Sequence, residues 1–426
     1  MAPALVAALP VWRACRVTVR EAIDRHGANP SWLGAASARW PVALRNVLRR
    51  PTRLALTVFL LAAGGAMFMT ALNVSGSWER TIDKVYLTRH YDVELRLHQA
   101  QPIALREALI AMPEVRAVEA WGYSEAAFAN PNGIDVSHGY PDKGHGSFAV
   151  MAPPPATRLV DFPLRSGRWL QPGDDDAVVL NHAAIAQQPG LRLGDVVSLS
   201  IDGVVSRWRL VGVVEEIGAA GVAYVSDSAF ARRTGTEGRA RLLRVATHAT
   251  GAQQRDTLIR RIDDLVTAAG GHVQTAQPLT ELRTAMGDHI VILIRALLAM
   301  AAVMAVVGSL GLAASLGISV VERSRELAVM KTLGASPRRL LRLVNAEAQW
   351  IGAISSLGAF ALSLPLTALL DALIGGLGFV APLPFAVTWW GVASWVALVM
   401  VVSLLAARPP AQRAVRASVA QALVQV

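Results

Sequence analysis

The sequence has a single cysteine, few charged residues and few aromatic residues for its length. Of its 426 residues, 17% are charged, 6% are aromatic and 53% are hydrophobic, whereas soluble globular domains usually carry about 25% charged residues. Cys15, as the lone cysteine, excludes a disulfide framework and any cysteine-based zinc or iron–sulfur cluster. The scarcity of charge favours a membrane protein over an ordinary soluble enzyme.

The sequence also lacks the short motifs of common catalytic and nucleotide-binding sites. It has no His-Glu-x-x-His, no Gly-x-Ser-x-Gly and no Walker A motif. His138 and His145 flank a glycine-rich loop, but no third ligand follows at metal-binding spacing. The acidic run 174–176 lacks the alternating spacing of a calcium loop. We therefore expect no catalytic residue, no metal site and no cofactor on this chain.

The hydrophobic residues are concentrated in four blocks. The first, Leu54 to Ser77, has no charged residue, and as a helix it reaches roughly 36 Å, enough to cross the ~30 Å hydrocarbon layer. The sequence thus predicts a membrane α-helical protein with four transmembrane helices and an α+β domain inserted between the first and second. The predicted segments are 1–53 (basic N-terminal segment with an amphipathic elbow helix), 54–77 (first span), 78–289 (outer domain), 290–321 (second span), 322–349 (elbow), 350–370 (third span), 371–385 (outer loop), 386–407 (fourth span) and 408–426 (tail).

The distribution of charge predicts the orientation of these spans. The N-terminal segment, the elbow and the tail together carry 18 basic and 5 acidic residues, whereas 78–289 carries 22 basic and 25 acidic residues. The positive-inside rule therefore places both termini and the elbow in the cytoplasm. Because the basic excess flanks the spans, attraction to lipid headgroups explains it and a nucleic-acid partner is not expected.

The outer segment has the turn residues and apolar spacing of a mixed α+β fold. An Asp-Gly pair at 202–203 lies between two apolar runs and predicts a hairpin turn. Leu258, Ile262, Leu265 and Val266 have helical spacing. The predicted strands are 91–97, 115–121, 178–180, 196–201 and 204–214, and the predicted helices are 103–111 and 253–269.

The stretch between the second and third spans predicts a compact helix-turn-helix elbow. Gly334 suits the left-handed position that ends a helix, Ser336 suits an N-cap and Pro337 suits a first helical turn. Such a charged protrusion is suited to docking on a soluble partner; the alternative is that its charges merely extend to the membrane surface. The candidate contact residues are Glu322, Arg323, Glu326, Met330, Lys331, Gly334, Ala335 and Ser336.

These residues also carry a family resemblance. Glu322-Arg-x-x-Glu326, followed by Met330-Lys-Thr-Leu-Gly-Ala-Ser336 and by Glu347, resembles the signature of FtsX-like permeases, the membrane subunits of MacB- and LolC-type ABC transporters. The segments 164–170, 194–195 and 211–214 resemble the periplasmic core domain of those proteins.

The resemblance implies a permease subunit in a bacterial inner (plasma) membrane, with an ABC-type ATPase docked on the elbow and a second permease subunit in a homodimer or heterodimer. It further implies that ATP hydrolysis moves the outer domain, for export or extraction of a lipophilic, lipoprotein or peptide-like substrate. An alternative is an ATPase-coupled regulator or sensor that activates a cell-wall hydrolase or a signalling partner and transports nothing.

Two further patterns bear on assembly. Pro10 to Ile23 resembles Pro410 to Leu423, which favours a chain equivalent to the back half of a duplicated permease over two independently acquired basic helices. A stripe of small residues lies on one face of the second span, where it can serve packing within the subunit or pairing with a second permease. The stripe consists of Ala301, Ala305, Gly308, Gly311 and Ser315.

Overall fold

The computed structural model describes residues 40–49, 51–129, 148–248, 251–379 and 381–416. Three features of the sequence lie outside these residues. They are Cys15, the first copy of the repeat at Pro10 to Ile23, and the histidine pair His138 and His145.

Within the described residues, one long apolar helix is followed by a domain of short helices and strands and then by further long apolar helices. The helices are α1 (Val42–Leu48), α2 (Pro51–Leu87), α3 (Ala104–Ile110), α4 (His182–Ala186), α5 (Asp227–Thr234), α6 (Ala252–Ala268), α7 (Leu279–Glu322), α8 (Ser324–Thr332), α9 (Pro337–Phe379) and α10 (Trp389–Arg416). The strands are β1 (Val93–Pro102), β2 (Val115–Phe128), β3 (Phe148–Ala152), β4 (Leu164–Gly167), β5 (Ala177–Asn181), β6 (Val196–Ile201), β7 (Val204–Val214), β8 (Gly221–Val225), β9 (Arg239–Thr247) and β10 (Val273–Pro278).

Four of these helices are long and apolar enough to cross a membrane. They contain the candidate spans Pro51–Leu87, Ile290–Glu322, Pro337–Leu377 and Trp389–Arg416. The predicted architecture, four membrane helices with an α+β domain inserted between the first and second, is confirmed. The third helix continues past the predicted end of its span at Leu370, so Asp371 lies within α9 and not in a loop.

Small residues let the apolar helices approach one another closely. A methyl group built on Gly65 of α2 would lie 2.3 Å from Trp395 Nε1 of α10 and 2.6 Å from Ala359 Cβ of α9. A methyl group on Gly308 of α7 would lie 2.7 Å from Leu61 Cδ2 of α2. A methyl group at Gly65 would therefore clash with two neighbouring helices, whereas one at Gly308 would require the Leu61 side chain to shift.

The inserted domain is built on one ten-stranded mixed sheet. Its order is β10-β1-β9-β2-β3-β8-β5-β7-β4, with β6 pairing with β2 and β7. The pairs β3·β8 and β5·β7 are parallel and the other pairs are antiparallel. The Asp-Gly hairpin is confirmed, since Asp202 and Gly203 have φ of 50° and 80° and join β6 to β7 with Ile201 opposite Val204.

A buried ion pair joins the neighbouring strands β1 and β9. Arg244 on β9 donates from Nε and Nη2 to Glu94 Oε2 on β1, both at 3.1 Å, and its guanidinium lies 3.9 Å from the ring centroid of Trp121. Arg96 donates to the other carboxylate oxygen at 3.1 Å. Burial alone would raise the pKa of Glu94, but the two neighbouring guanidinium groups outweigh it and hold that pKa below its ordinary value. Glu94 is therefore a carboxylate at neutral pH.

The chain enters and leaves the inserted domain on adjacent strands. β1 follows α2, β10 precedes α7, and the two strands pair antiparallel from Val93 opposite Pro278. The helix ends are also joined, because Tyr86 Oη donates to Leu279 O at 2.6 Å and Arg283 Nη2 lies 3.3 Å from Asp83 Oδ1.

Candidate partner-docking elbow

The elbow between α7 and α9 consists of the short helix α8 and one tight turn. The residues of that turn explain its conformation. α8 ends at Thr332, and Gly334 takes φ of 87°, the left-handed conformation that glycine adopts without strain. Ala335 N donates to Met330 O at 2.9 Å and Gly334 N donates to Lys331 O at 3.0 Å, which closes the end of the helix. α9 then begins at Pro337, after Ser336. The predicted left-handed Gly334 and the predicted first-turn Pro337 are confirmed, and Ser336 lies directly before the helix, where its backbone carbonyl accepts from Leu340 N at 3.4 Å.

An apolar core holds the elbow against three other helices. Leu327 is 4% exposed, and Met330 packs at the edge of the same cluster. This core ties the inner face of α8 to the ends of α7, α9 and α10. Its buried members are Val320, Leu327, Leu340, Val344, Ala411 and Ala414.

Arg323 connects the elbow to α9 through a partly buried ion pair. Its Nη1 donates to Glu347 Oε1 at 2.7 Å, and its Nε donates to Glu326 Oε2 at 3.1 Å. The side chain of Glu347 is only 5% exposed, and its Oε1 also accepts from Asn46 Nδ2 on α1 at 2.7 Å. A charge-assisted pair in this setting is short and directional.

Two arginines near the start of the first span pair with the two exposed glutamates of the elbow. Arg49 Nη1 donates to Glu326 Oε1 at 3.1 Å, and Arg53 Nη2 donates to Glu322 Oε1 at 3.0 Å. Together with the Arg323 pair, these contacts form one network, which we call the elbow charge network: Asn46, Arg49, Arg53, Glu322, Arg323, Glu326 and Glu347.

The ion pairs of this network shift the pKa values of Glu326 and Arg323 towards their charged forms. Burial would raise the pKa of Glu326, but its hydrogen bonds from Arg323 and Arg49 dominate and lower it. Burial would likewise lower the pKa of Arg323, yet Glu347 and Glu326 raise it. Both groups are therefore charged across the physiological pH range.

The outer face of the elbow is exposed and combines apolar with basic residues. Leu333 is 82% exposed and Val329 is 44% exposed. Four arginines of the same stretch are also exposed: Arg325, Arg338, Arg339 and Arg342. We call these exposed residues the elbow face; they combine apolar and basic side chains, the composition that suits an acidic groove on a soluble protein.

The predicted contact residues thus differ in how far they are exposed. Gly334 and Ser336 lie on the exposed turn. Five others contact residues of the same chain. Glu322, Arg323 and Glu326 belong to the elbow charge network, and Met330 packs at the edge of the elbow core. Lys331 Nζ donates to Val415 O at 2.9 Å, and Ala335 is half-buried.

The small-residue stripe of the second span contacts the first span of the same chain. Ala301 is 1% exposed, and a methyl group on Gly64 would lie 3.4 Å from Ala301 O and 3.4 Å from Ala305 N. Gly308 packs on Leu61, while Gly311 and Ser315 are half-buried. The opposite face of this helix is exposed, with Val303 at 62% and Leu310 at 67%.

Sequence reasoning missed the partners of the elbow charge network. Asn46, Arg49 and Arg53 recur at helical spacing just before and within the first span, and Glu322 and Glu326 recur one turn apart. A basic face and an acidic face at the same membrane boundary are the signal that could have paired them.

The C-terminal half of the membrane part, which contains the elbow, matches a known family. Residues 298–419 match the model described as FtsX-like permease C-terminal. This part of the chain is thus similar to FtsX-like permeases. The match includes the end of α7, α8, α9 and the described part of α10, so all of the elbow face lies inside it.

A curated relative is an uncharacterized ABC transporter permease from Methanocaldococcus jannaschii. It is 21% identical over 227 residues, and the match covers 51% of this chain and 55% of the relative. The permease from this organism is thus matched over about half of its length.

Three solved structures similar to part of this chain are domains of transporters or permeases. The periplasmic region of MacB from Actinobacillus actinomycetemcomitans aligns with a TM-score of 0.32 and 11% identity, covering 49% of this chain and 98% of that one. The extracellular domain of the ABC-type transporter YknZ from Gram-positive bacteria aligns with a TM-score of 0.31 and 14% identity, covering 43% and 99%. A domain of a putative permease protein from Porphyromonas gingivalis aligns with a TM-score of 0.27 and 13% identity, covering 45% and 91%.

Proposed function

We propose that this chain is the non-catalytic permease subunit of an ABC transporter and that a separate ATPase docks on the elbow face. The observation that carries the proposal is the division within the elbow between an anchored inner side and an exposed outer side. The inner side packs on α7, α9 and α10, while Leu333, Val329 and four arginines of the same stretch are exposed. The FtsX-like match over the same residues supports this assignment.

The elbow charge network gives the docked ATPase a route to the spans. Glu326 and Glu322 are bonded to Arg49 and Arg53, so a displacement of the elbow acts directly on the start of the first span. Packed helices and ion pairs with discrete arrangements are the elements that carry such coupling. ATP-driven closure of two ATPases thereby moves two paired permease subunits and, through the continuous helices α2 and α7, the inserted domain.

The remaining parts of the proposal concern location and cargo. The chain resides in a bacterial inner membrane with the elbow and both termini in the cytoplasm, in keeping with the basic flanks of the spans. The moving domain exports or extracts a lipophilic, lipoprotein or peptide-like substrate.

The test is affinity purification of the tagged full-length chain from its native membrane in mild detergent. We expect a stoichiometric ATPase that carries a Walker A motif to copurify. Leu333→Asp should abolish this binding without affecting folding, since Leu333 is 82% exposed. The matched control, Leu164→Asp, changes a residue that is 49% exposed on the inserted domain and should retain the ATPase.

A second variant separates docking from coupling. Glu326→Gln removes the partner of Arg49 but leaves the elbow face intact, so it should retain the ATPase and reduce substrate-stimulated hydrolysis. The proposal is wrong if no ATPase copurifies under conditions that preserve other ABC complexes, or if Leu333→Asp binds it as well as the unaltered chain does.

A further inference from the structure

A buried carboxylate lies between the first and third apolar helices. Asp371 on α9 is 2% exposed, and Ser77 Oγ on α2 donates to its Oδ2 at 3.1 Å. One turn away on each helix, Asn73 Nδ2 donates to Thr367 Oγ1 at 3.2 Å. These four side chains form two polar layers, which we call the α2–α9 polar seam.

The segment that follows α9 closes over the same seam. Leu383 N donates to Asp371 O at 3.2 Å, and Thr388 N donates to Asn73 Oδ1 at 2.7 Å. Thr388 Oγ1 also donates to Leu72 O at 3.1 Å. The segment 383–388 is thus hydrogen-bonded to both helices of the seam, and the side chains of Asn73, Ser77, Thr367 and Asp371 are all buried.

No positive side chain balances Asp371 within the described residues. The stretch 364–388 contains no lysine, arginine or histidine. On the facing part of α2, the charged residues Glu79, Arg80, Asp83 and Lys84 are exposed, whereas Asn73 and Ser77 are buried. No salt bridge to Asp371 forms in the part of the chain that the structure describes.

The second carboxylate oxygen of Asp371 is also unsatisfied. Oδ1 is buried and has no hydrogen-bond partner among the described residues. An ionised carboxylate without a partner is costly in an apolar interior, and inside a membrane domain it marks a functional site by default. Ionised Asp371 therefore requires a positive charge that the described residues do not supply.

We propose that the α2–α9 polar seam binds a single monovalent cation, a proton or a sodium ion, at Asp371. One carboxylate balances one positive charge. The surrounding donors are hydroxyl, amide and carboxylate oxygens, the hard ligands that suit an alkali cation or a proton and not a transition metal. Binding neutralises Asp371 and stabilises the contact between α2 and α9, whether or not the elbow docks an ATPase.

The experiment measures thermal unfolding of the purified full-length chain in detergent at constant ionic strength. Sodium chloride is exchanged for choline chloride at a fixed alkaline pH, and in a second series the pH is varied without sodium. We expect the unfolding temperature to rise with sodium in the first series or with acidity in the second, and the series that responds identifies the cation. Asp371→Asn, a neutral side chain of the same shape, should abolish that response.

A matched Asp→Asn control separates this site from ordinary surface titration. Asp83 lies on the same helix α2, and its side chain is 61% exposed, so Asp83→Asn should retain the full response. If Asp371→Asn does not fold, Ser77→Ala serves instead, because it removes one donor and retains the carboxylate. For a sodium site it should raise the concentration for half-maximal stabilisation about tenfold.

Equilibrium dialysis with radioactive sodium gives a direct readout for the sodium arm. One ion should bind to each wild-type chain and none to Asp371→Asn. The proposal is overturned if the unaltered chain responds neither to sodium nor to pH, or if Asp371→Asn keeps the wild-type response.

Discussion

Arg323 and Glu347 are separated by 24 residues, yet Arg323 Nη1 donates to Glu347 Oε1 at 2.7 Å, and the same oxygen accepts from Asn46 Nδ2 at the same distance. One carboxylate oxygen thus joins α1, the start of the elbow and α9. Because Glu347 is 5% exposed, the pair is a fixed joint and not a loose surface contact.

Removing Arg323 should destabilise the fold by leaving Glu347 buried without its guanidinium partner. We expect Arg323→Gln to cost about 3 to 5 kcal/mol, the range for breaking one side of a buried ion pair. Arg325→Gln is the matched control, because Arg325 is exposed and should change stability by less than about 0.5 kcal/mol. Denaturant unfolding in detergent measures the unfolding free energy of both variants. Equal losses of stability would show that the Arg323–Glu347 pair does not stabilise the fold.

Enlarging Gly65 should force α2 away from α10. Since a methyl group would lie 2.3 Å from Trp395 Nε1, Gly65→Ala should destabilise the fold by about 1 to 3 kcal/mol through overpacking. Gly311→Ala is the control on α7, where the nearest atom, Leu60 Cδ1, is 4.0 Å away. That variant should be neutral or slightly stabilising, because alanine favours a helix over glycine. A neutral Gly65→Ala in thermal unfolding would show that the crossing can relax.

Gly334→Ala should strain the elbow without any steric clash. Its φ is 87°, and a methyl group placed on its Cα would have no atom within 4 Å, so only the left-handed backbone opposes the substitution. The cost should be about 1 to 2 kcal/mol. Gly376→Ala also meets no atom within 4 Å, lies inside α9, and should not be destabilising. If the two variants unfold alike in denaturant, backbone strain at the elbow is excluded.

The buried pair in the inserted domain predicts a pH dependence of definite sign. The pKa of Glu94 is lowered in the folded state, so its stabilising contribution is complete above the ordinary glutamate pKa of about 4.3 and is lost as the pH falls through the lower folded value. Glu94→Gln leaves Arg244 buried without a carboxylate and should cost about 3 to 5 kcal/mol at neutral pH.

The stability gap between Glu94→Gln and the unaltered chain should therefore narrow on acidification, as the unaltered chain loses the contribution that the variant already lacks. Glu107→Gln, a change at an exposed position of α3, should leave the pH profile unchanged. If the difference in unfolding free energy between the two proteins stays constant down to strongly acidic pH, the destabilisation by Glu94→Gln comes from packing and not from charge.

Local signals in the sequence predicted much of this fold. The hairpin at 202–203 and the flanking strands β6 and β7 agree with the structure because turn chemistry and alternation are local properties. The helix at 253–269 also agrees, and Leu258, Ile262 and Val266 are buried as its spacing predicted. The helix at 103–111 corresponds to α3.

What the sequence could not give were the partners of charged residues far apart in the chain. From the sequence, Glu326 was predicted to contact a partner protein. In the structure it pairs with Arg49, which is 277 positions away in the chain. Asp371 looked like the first residue of a loop, because a charge that follows an apolar run normally ends a span. The structure continues the helix past it: Ser77 donates to the carboxylate, and Leu383 N of the returning segment donates to the backbone carbonyl of Asp371.

The entry and exit strands of the inserted domain, β1 and β10, are hydrogen-bonded neighbours, and the helix ends beside them are joined by Tyr86 and Leu279. The spacing between those helix ends is therefore set by two paired strands and is independent of how many residues lie between them. Evolution can lengthen, shorten or exchange the whole insert at this junction without re-optimising the membrane helices, much as loops with adjacent ends tolerate the insertion of a complete domain. A chain of this design can acquire a different inserted domain by recombination at a single pair of strands.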